Sequence, residues 1–313
     1  MCDMKAVRVR IAVLAGPTAV GKTSYAIDLA QEMGTEIVSA DSMQVYQHFD
    51  IGTAKPSAEE RSRVAYHLLD CVDPHEEFSL ARFINLADEI IGNISRKRMI
   101  PLVVGGTGLY IKGLIEGIFE DGARDPELRS RLREEIRMQG LGTLYQRLQE
   151  VDPVAAQRIS PNDMMRIVRA LEVYELTGRP ISELQKESRM QGKRYEYRLV
   201  VLTRDRAELY ERIEARVDRM FATGFVEEVR RLLDMGYSPD LHAMKALGYR
   251  EVVAYLKGQT SLKEAQLRVK QATRRYGKRQ LTWFRAMREA EWLNLSGNSY
   301  QENVARLKKI LAF

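Results

Sequence analysis

From residue 8 the chain alternates and then runs apolar through residues 11–15 before breaking into a glycine-rich turn, the pattern of a buried strand. Residues 22–33 carry apolar positions at helical spacing and end at Gly34, a natural helix stop. Residues 36–39 predict a short second strand. Residues 83–94 place Phe83, Ile84, Leu86, Ala87, Ile90, Ile91 and Ile94 on one helical face. Residues 99–104 predict a third buried strand that runs into Gly105-Gly106-Thr107. Strands alternating with helices require crossovers, and crossovers make a parallel sheet. After Gly117 the pattern changes. Residues 125–187 read as wholly helical and arginine-rich, punctuated by Asp152-Pro153 and Ser160-Pro161. Strand character returns over residues 195–203. A helix from about Arg206 then carries Leu209, Ile213, Val217 and Met220 at three- and four-residue steps and stops near Gly224, and a further helix spans residues 262–287.

The 313 residues suffice for one large domain or two modest ones. With 45% apolar and 29% charged residues the composition is that of an ordinary globular protein. No apolar run approaches membrane-spanning length, and residues 11–15 are too short for a signal peptide and read as a strand. The two cysteines, Cys2 and Cys71, give neither a disulfide framework nor metal-ligand spacing, so a reducing, cytoplasmic setting is expected. The formal charge of +6 and pI near 9.2 favour a polyanionic partner, because lysine and arginine displace counterions from phosphates.

The sharpest motif is Gly16-Pro17-Thr18-Ala19-Val20-Gly21-Lys22-Thr23, a Walker A pattern with a strand before it and a helix after it. Glycines let the backbone wrap phosphate oxygens, and the helix N-terminus supplies partial positive charge. Lys22 adds a full charge, and Thr23 is placed to ligate Mg²⁺. The motif identifies a bound polyphosphate and not a reaction. In many ATPases a carboxylate ends a neighbouring strand and helps hold Mg²⁺. Here that strand ends in Gly105-Gly106-Thr107-Gly108, and the nearest acid is Asp41, after the second strand. The arrangement suits a protein that grips a diphosphate without hydrolysing ATP. In open α/β sheets the ligand crevice lies beyond the carboxyl ends of the strands, where Asp41 and Thr107 fall. Asp41 there could take a proton from a nucleophile, hold Mg²⁺, or simply cap the next turn.

Charge is concentrated on two helices. Arg212, Arg216 and Arg219 share one face, either a solvated one or one that sets a guanidinium against a leaving diphosphate. Residues 273–288 carry Arg274, Arg275, Lys278, Arg279, Arg285 and Arg288 with no acid among them, interleaved with Tyr276, Trp283 and Phe284. That mixture fits a nucleic-acid surface whose aromatics stack on unpaired bases, and equally an amphipathic helix whose aromatics face a core.

Taken together, GPTAVGKT at 16–23, Asp41-Ser42-Met43-Gln44-Val45-Tyr46, GGTGLY at 105–110 and Asp125-Pro126-Glu127-Leu128-Arg129 resemble one family. So do Asn162-Asp163 with Arg166 and Arg169 before Ala170-Leu171-Glu172-Val173, Arg216-Val217-Asp218-Arg219-Met220, Gly248-Tyr249-Arg250, and Lys278-Arg279-Gln280-Leu281-Thr282-Trp283. The chain resembles the tRNA dimethylallyltransferases from about residue 9 to residue 290. Two positions depart: Met165 stands where the family often has Gln, and Tyr66 precedes His67 where a His pair is common. The first puts a tRNA contact in doubt; the second is expected to matter little.

The resemblance implies an α/β fold: a P-loop NTPase-like parallel sheet flanked by helices, with an inserted all-helical domain. Residues 1–120 with 190–313 would form the catalytic core and residues 121–189 a tRNA-binding insert. It implies transfer of a dimethylallyl group from dimethylallyl diphosphate to N6 of the adenosine 3′-adjacent to the anticodon. The catalytic residues would be Asp41, Thr107 and Arg216. Diphosphate would be held by Gly16, Pro17, Thr18, Ala19, Val20, Gly21, Lys22 and Thr23, with Mg²⁺ on Thr23. Contacts to tRNA are expected from Asp41, Ser42, Met43, Gln44, Thr107, Arg129, Arg166, Arg169, Arg250, Arg274, Arg275, Lys278 and Arg279. A monomer is expected, with the prenyl diphosphate rather than ATP in the P-loop. Two other readings share the motif: a nucleotide or small-molecule kinase, which does not need the basic-aromatic helix, and a non-enzymatic RNA-binding protein switched by nucleotide.

Overall fold

The computed structural model describes residues 8–118, 125–190 and 192–313. Six strands form one sheet: β1 (Arg10–Ala15), β2 (Ile37–Ser39), β3 (Tyr66–His67), β4 (Leu102–Gly105), β5 (Glu196–Thr203) and β6 (Glu291–Asn294), in the order β3-β2-β4-β1-β5-β6. Every pairing is parallel. Val13 of β1 sits between Val103 of β4 and Leu199 of β5. Both sheet faces are covered, so Ile11 to Ala15 are fully buried and read as a continuous apolar run rather than an alternation. The parallel sheet expected from the sequence is present. Its two edge strands, β3 and β6, escaped the hydrophobic pattern: one has only two residues, and the other exposes three of its four.

The first crossovers are made by α1 (Lys22–Met33), α2 (Ala58–Arg63), α3 (Leu80–Arg96) and α4 (Gly108–Glu116). The chain divides into two compact units, one formed by Met1–Ile115 with Tyr195–Phe313, the other by Glu116–Arg194. The expected boundary between 120 and 121 lies outside the described residues. Residue 190, expected to reopen the core, is the last of the insert's final helix.

The second unit is all-helical: α5 (Pro126–Gln139), α6 (Leu141–Val151), α7 (Pro153–Ala156), α8 (Met164–Thr177) and α9 (Ile181–Met190). Asp125, Asp152 and Asp163 cap three of these helices through side-chain acceptance of backbone N–H groups. Leu128, Leu132, Leu144, Leu148, Ile167 and Leu171 build a core of its own. Within it lies the fully buried Glu172, held by Arg129 at 2.8 Å, Arg169 at 2.5 Å and the N–H of Asp125 at 3.1 Å. Burial alone would raise its pKa, but the hydrogen bonds from Arg129 and Arg169 hold it below the usual carboxylate range.

The core unit resumes with β5 and continues through α10 (Arg206–Ala222), α11 (Phe225–Asp234), α12 (Tyr249–Leu256), α13 (Leu262–Arg285) and α14 (Tyr300–Leu311). Helix α13 packs along α10 and α12, and α14 covers α1, where Tyr300 stacks on Tyr25 at 4.5 Å. Among the described residues no helix is long and apolar enough to cross a membrane.

Candidate active site

The P-loop joins the end of β1 to the start of α1. Gly21 caps α1 at φ 111°, a conformation that L side chains rarely adopt, and no side chain caps the helix. The first N–H groups of α1 are therefore left for a ligand, and the helix dipole favours an anion there. Ala19 adopts φ 63°, a left-handed conformation that costs about 1–2 kcal/mol in a non-glycine residue. Arginines from the chain that follows β5 hold this shape. Arg212 donates to the Ala19 carbonyl and Arg204 to the Val20 carbonyl, each at 2.9 Å, and Arg216 reaches Thr18 Oγ1 at 3.3 Å. With these carbonyls bound by arginines, the Thr18 N–H goes to Gln280 and the Val20 N–H to the Pro17 carbonyl, and it is the amides at the start of α1 that face an incoming anion.

Lys22 folds back onto the carbonyls of Gly16 and Pro17, both at 2.9 Å. Burial first, then the positive charge of Arg216, lowers its pKa to about 7, while Asp41 opposes the shift. Burial, followed by Arg212 and Arg219, also lowers the pKa of Arg216. Cations packed this closely form a site built to receive an anion.

Thr18, Lys22, Thr23, Asp41, Arg216 and Gln280 line one cavity of about 360 Å³. Asp41 follows β2. Its Oδ1 accepts the N–H groups of Met43 at 2.9 Å and Gln44 at 3.2 Å, so the side chain does cap its turn. Only one oxygen is needed for that. Oδ2 has no hydrogen bond among the described residues, so the cap and a chemical role coexist. Ser42, Met43 and Gln44 also line the cavity. Thr107 adjoins them, accepting from the N–H of Ser42 at 3.2 Å and engaging the hydroxyl of Tyr276, a residue that lines the same cavity. The opposite wall is apolar, formed by Pro56, Val217, Met220, Leu247 and Tyr249. Tyr66 also lines the cavity, and its buried hydroxyl has no partner among the described residues. One of the two positions at which this sequence departs from the family pattern is thus part of the site wall.

Of the helical arginines, Arg216 reaches the cavity, Arg212 the P-loop carbonyl, and Arg219 solvent. On α13 both readings of the aromatic residues hold at once. Phe284 is fully buried and Trp283 packs against Gly108, while Tyr276 lines the cavity. Arg275, Lys278 and Arg279 are exposed, and Arg279 also borders the cavity and lies over the Tyr276 ring. Arg274 is less free than its run of basic neighbours implied: Glu214 of α10 binds it at 2.5 Å. Arg250 is exposed and bonds Glu251 at 2.6 Å. In the helical unit Arg166 is exposed beside Asp163, whereas Arg129 and Arg169 are committed to Glu172.

The family model described as IPP transferase matches residues 44–287, and one described as isopentenyl transferase matches residues 9–70. The chain belongs to the IPP transferase family. The tRNA dimethylallyltransferase of Thermotoga petrophila is 47% identical over 302 residues, covering 96% of this chain and 98% of that one. The tRNA dimethylallyltransferase of Symbiobacterium thermophilum is 50% identical over 302 residues, covering 95% and 94%. Among solved structures, the tRNA isopentenylpyrophosphate transferase of Bacillus halodurans superposes with a TM-score of 0.72 at 38% identity, over 96% of this chain and 94% of that one. A eukaryotic dimethylallyltransferase described as acting on tRNA gives 0.79 at 28% identity, over 96% and 78%.

Several residues that shape this IPP transferase site carry little signal in the sequence. Gln280 accepts from the Thr18 N–H and donates to the Gly106 carbonyl, both at 2.9 Å. It lies within the Lys278–Trp283 block, where the charges of its neighbours dominate the pattern. Arg204 has no signal beyond its position at the end of β5. Tyr249 stands in Gly248-Tyr249-Arg250, a block that by itself assigns it no role.

The donors present fit a magnesium ion held jointly with a diphosphate. Thr23 and Asp41 offer hard oxygens on the same cavity, and Mg²⁺ is usually held by one or two carboxylates plus substrate phosphates. Among the described residues no group of three or more His, Cys, Asp or Glu could hold a metal unaided.

Proposed function

We propose that this protein transfers a dimethylallyl group from dimethylallyl diphosphate to N6 of the adenosine 3′-adjacent to the anticodon of tRNA. The observation that carries the reading is that Lys22 and Arg216, Asp41, and an apolar wall line a single cavity. One side of it suits a diphosphate, one an acceptor proton, and one a branched hydrocarbon.

The P-loop amides, Lys22 and Arg216 receive the diphosphate. Thr23 is the residue that would hold Mg²⁺ together with the substrate phosphates, and the ion when bound would supply charge neutralisation at the phosphate oxygens. The lone pair of N6 forms the new N–C bond to the allylic carbon, and the C–O bond breaks with its electron pair left on the diphosphate. Lys22 and Arg216 oppose the negative charge that grows there, and such fixed, preorganised charge is the main source of rate enhancement in most sites of this kind. The proton released from N6 passes to Asp41, whose uncommitted Oδ2 can accept it while Oδ1 keeps the turn in place. The adenine must leave its stack to reach the cavity, which costs a few kcal/mol. Contacts from Arg275, Lys278 and Arg279 to the RNA backbone offset that cost. The helical unit would add contacts through Arg166 and its neighbours.

The β4 strand ends at Gly105 with no carboxylate, which speaks against the kinase alternative. The test mixes the protein with dimethylallyl diphosphate, Mg²⁺ and unmodified tRNA, then weighs the digested nucleosides. The expected product is an adenosine heavier by one dimethylallyl group. Its absence across a complete tRNA pool, with phosphoryl transfer from ATP in its place, would overturn the assignment.

A further inference from the structure

Glu228 of α11 is 2% exposed, yet no cation is paired with it among the described residues. Its partners are four hydrogen-bond donors. Oε2 accepts the N–H groups of Asp50 at 3.1 Å and Ile51 at 2.7 Å; Oε1 accepts the N–H of Gly52 at 3.0 Å and the Tyr249 hydroxyl at 2.7 Å. Three consecutive amides converging on one carboxylate form an anion nest, filled here from within the chain.

The segment so held is a wall of the transfer cavity, since Gly52, Thr53, Ala54 and Tyr249 all line it. The wall is not relaxed. Ala54 has φ 51°, and a Cβ at Gly52 would meet the Tyr249 ring at 2.4 Å. Its far end is fixed by Lys55, which donates to Asp50 at 2.8 Å and to the Tyr46 carbonyl at 2.9 Å. The carbonyls of Thr53 and Ala54 accept from Gln44 Nε2, both at 3.2 Å, and the N–H of Gln44 is one of the two donors to Asp41 Oδ1. Hydrogen bonds linked by the backbone of residues 50–54 and by Gln44 itself therefore connect Glu228 to Asp41.

We propose that Glu228 is a positioning residue of the transfer site: by binding the N–H groups of residues 50–52 it sets the cavity wall and, through Gln44, the aim of the Asp41 carboxylate. Packing alone would be served by an apolar side chain of the same volume at lower desolvation cost. The negative charge is there because three amides must be held inward together. The inference rests on the transferase reading.

The experiment compares wild type, Glu228→Gln, Gln44→Ala and the double variant, each well below its own melting temperature. Readouts are kcat and KM with tRNA and dimethylallyl diphosphate, and calorimetric affinity for inorganic diphosphate. Glutamine keeps the volume but turns an N–H pair toward the amides. Its kcat is expected to fall about 10- to 100-fold, the scale of a small misplacement at a reacting centre. Diphosphate affinity should change by less than about threefold, because the P-loop is untouched. The double variant should be no slower than the slower single variant within about twofold, as for residues on one path. A lowered melting temperature with wild-type kcat in the folded protein overturns the proposal, as do fully additive losses. Should Glu228→Gln not fold, Tyr249→Phe removes a single bond to Glu228; a several-fold loss of kcat supports the proposal and an unchanged kcat overturns it. A wild type without prenyl transfer would remove the transferase reading first, and this inference with it.

Discussion

Gln280 and Thr18 are joined by a 2.9 Å hydrogen bond from the P-loop amide to the side-chain oxygen of helix α13. The nitrogen of the same side chain binds the Gly106 carbonyl at 2.9 Å. One neutral group thus ties the helix that carries Arg275, Lys278 and Arg279 to two of the loops beyond the strand ends. Gln280→Met keeps the volume and removes both bonds. With about 0.5–1.5 kcal/mol for each, kcat/KM for the prenyl diphosphate should fall about 5- to 150-fold. Steady-state kinetics with the tRNA saturating checks this.

Lys22 makes diphosphate binding a proton-linked event. In the empty cradle its pKa is about 7, and an arriving diphosphate favours the charged form and raises it. Between pH 7 and the raised value, binding takes up a proton at Lys22, so affinity falls as pH rises. Calorimetry at pH 8 in buffers of different ionisation enthalpy should reveal more proton uptake by wild type than by Lys22→Met. Folding carries the opposite sign. The unfolded chain binds more protons at this residue between pH 7 and 10.5, so its contribution to stability becomes more favourable as pH rises through that window.

Asp41 has two separable duties, and two substitutions part them. Asp41→Asn retains an oxygen for the N–H groups of Met43 and Gln44 but cannot accept the proton. Its kcat should drop about 10²- to 10⁴-fold with little change in melting temperature. Asp41→Ala loses the cap as well, adding a destabilisation of about 0.5–2 kcal/mol that denaturant titration would register. Equal kcat for Asp41→Asn and wild type would remove the base assignment.

The helical unit depends on Glu172. Its carboxylate is fully buried between Arg129 and Arg169, and removing one partner of a buried ion pair costs about 3–5 kcal/mol. Glu172→Gln should therefore destabilise this unit by that order in a urea titration. Because the folded pKa lies below the unfolded value, the stabilisation is present above the unfolded pKa and is lost as acid titrates the folded carboxylate.

Exposed Arg275 and Lys278 should act on affinity for tRNA rather than on chemistry. Replacing both with Ala is expected to lower the slope of log K against log salt by about 0.7–0.9 for each lost phosphate contact. A filter-binding series from low to moderate salt measures it, and kcat at saturating tRNA should stay within about twofold.

Sequence reasoning finds what lies in contiguous stretches. Lys22 and Thr23 close an eight-residue motif, Asp41 closely follows a strand, and Arg216 occupies a helix face whose spacing can be counted. It does not find what arrives from far along the chain. Gln280 meets Thr18 across 262 positions, and Glu228 meets Ile51 across 177. A buried glutamate on an otherwise ordinary amphipathic helix looks like a surface charge until its partners are known. Thr107 shows both sides: its motif and its place beyond the strand end are legible, whereas its contacts to Ser42 and Tyr276, two residues that line the cavity, are not.

The position of β1 has a consequence for synthesis. This strand carries the P-loop and leaves the ribosome well before its partner, for Arg10 pairs with Glu196, 186 residues later. Until that partner emerges, β1 can be covered on its β4 side only. The helical unit, complete before β5 appears, has its own core and can settle first. The diphosphate cradle is therefore begun before the insert and finished after it. Arg204, Arg212 and Arg216, which hold its shape, all lie on the far side of the insert, so a nascent chain stalled within the helical unit carries the Walker A sequence without the scaffold that shapes it.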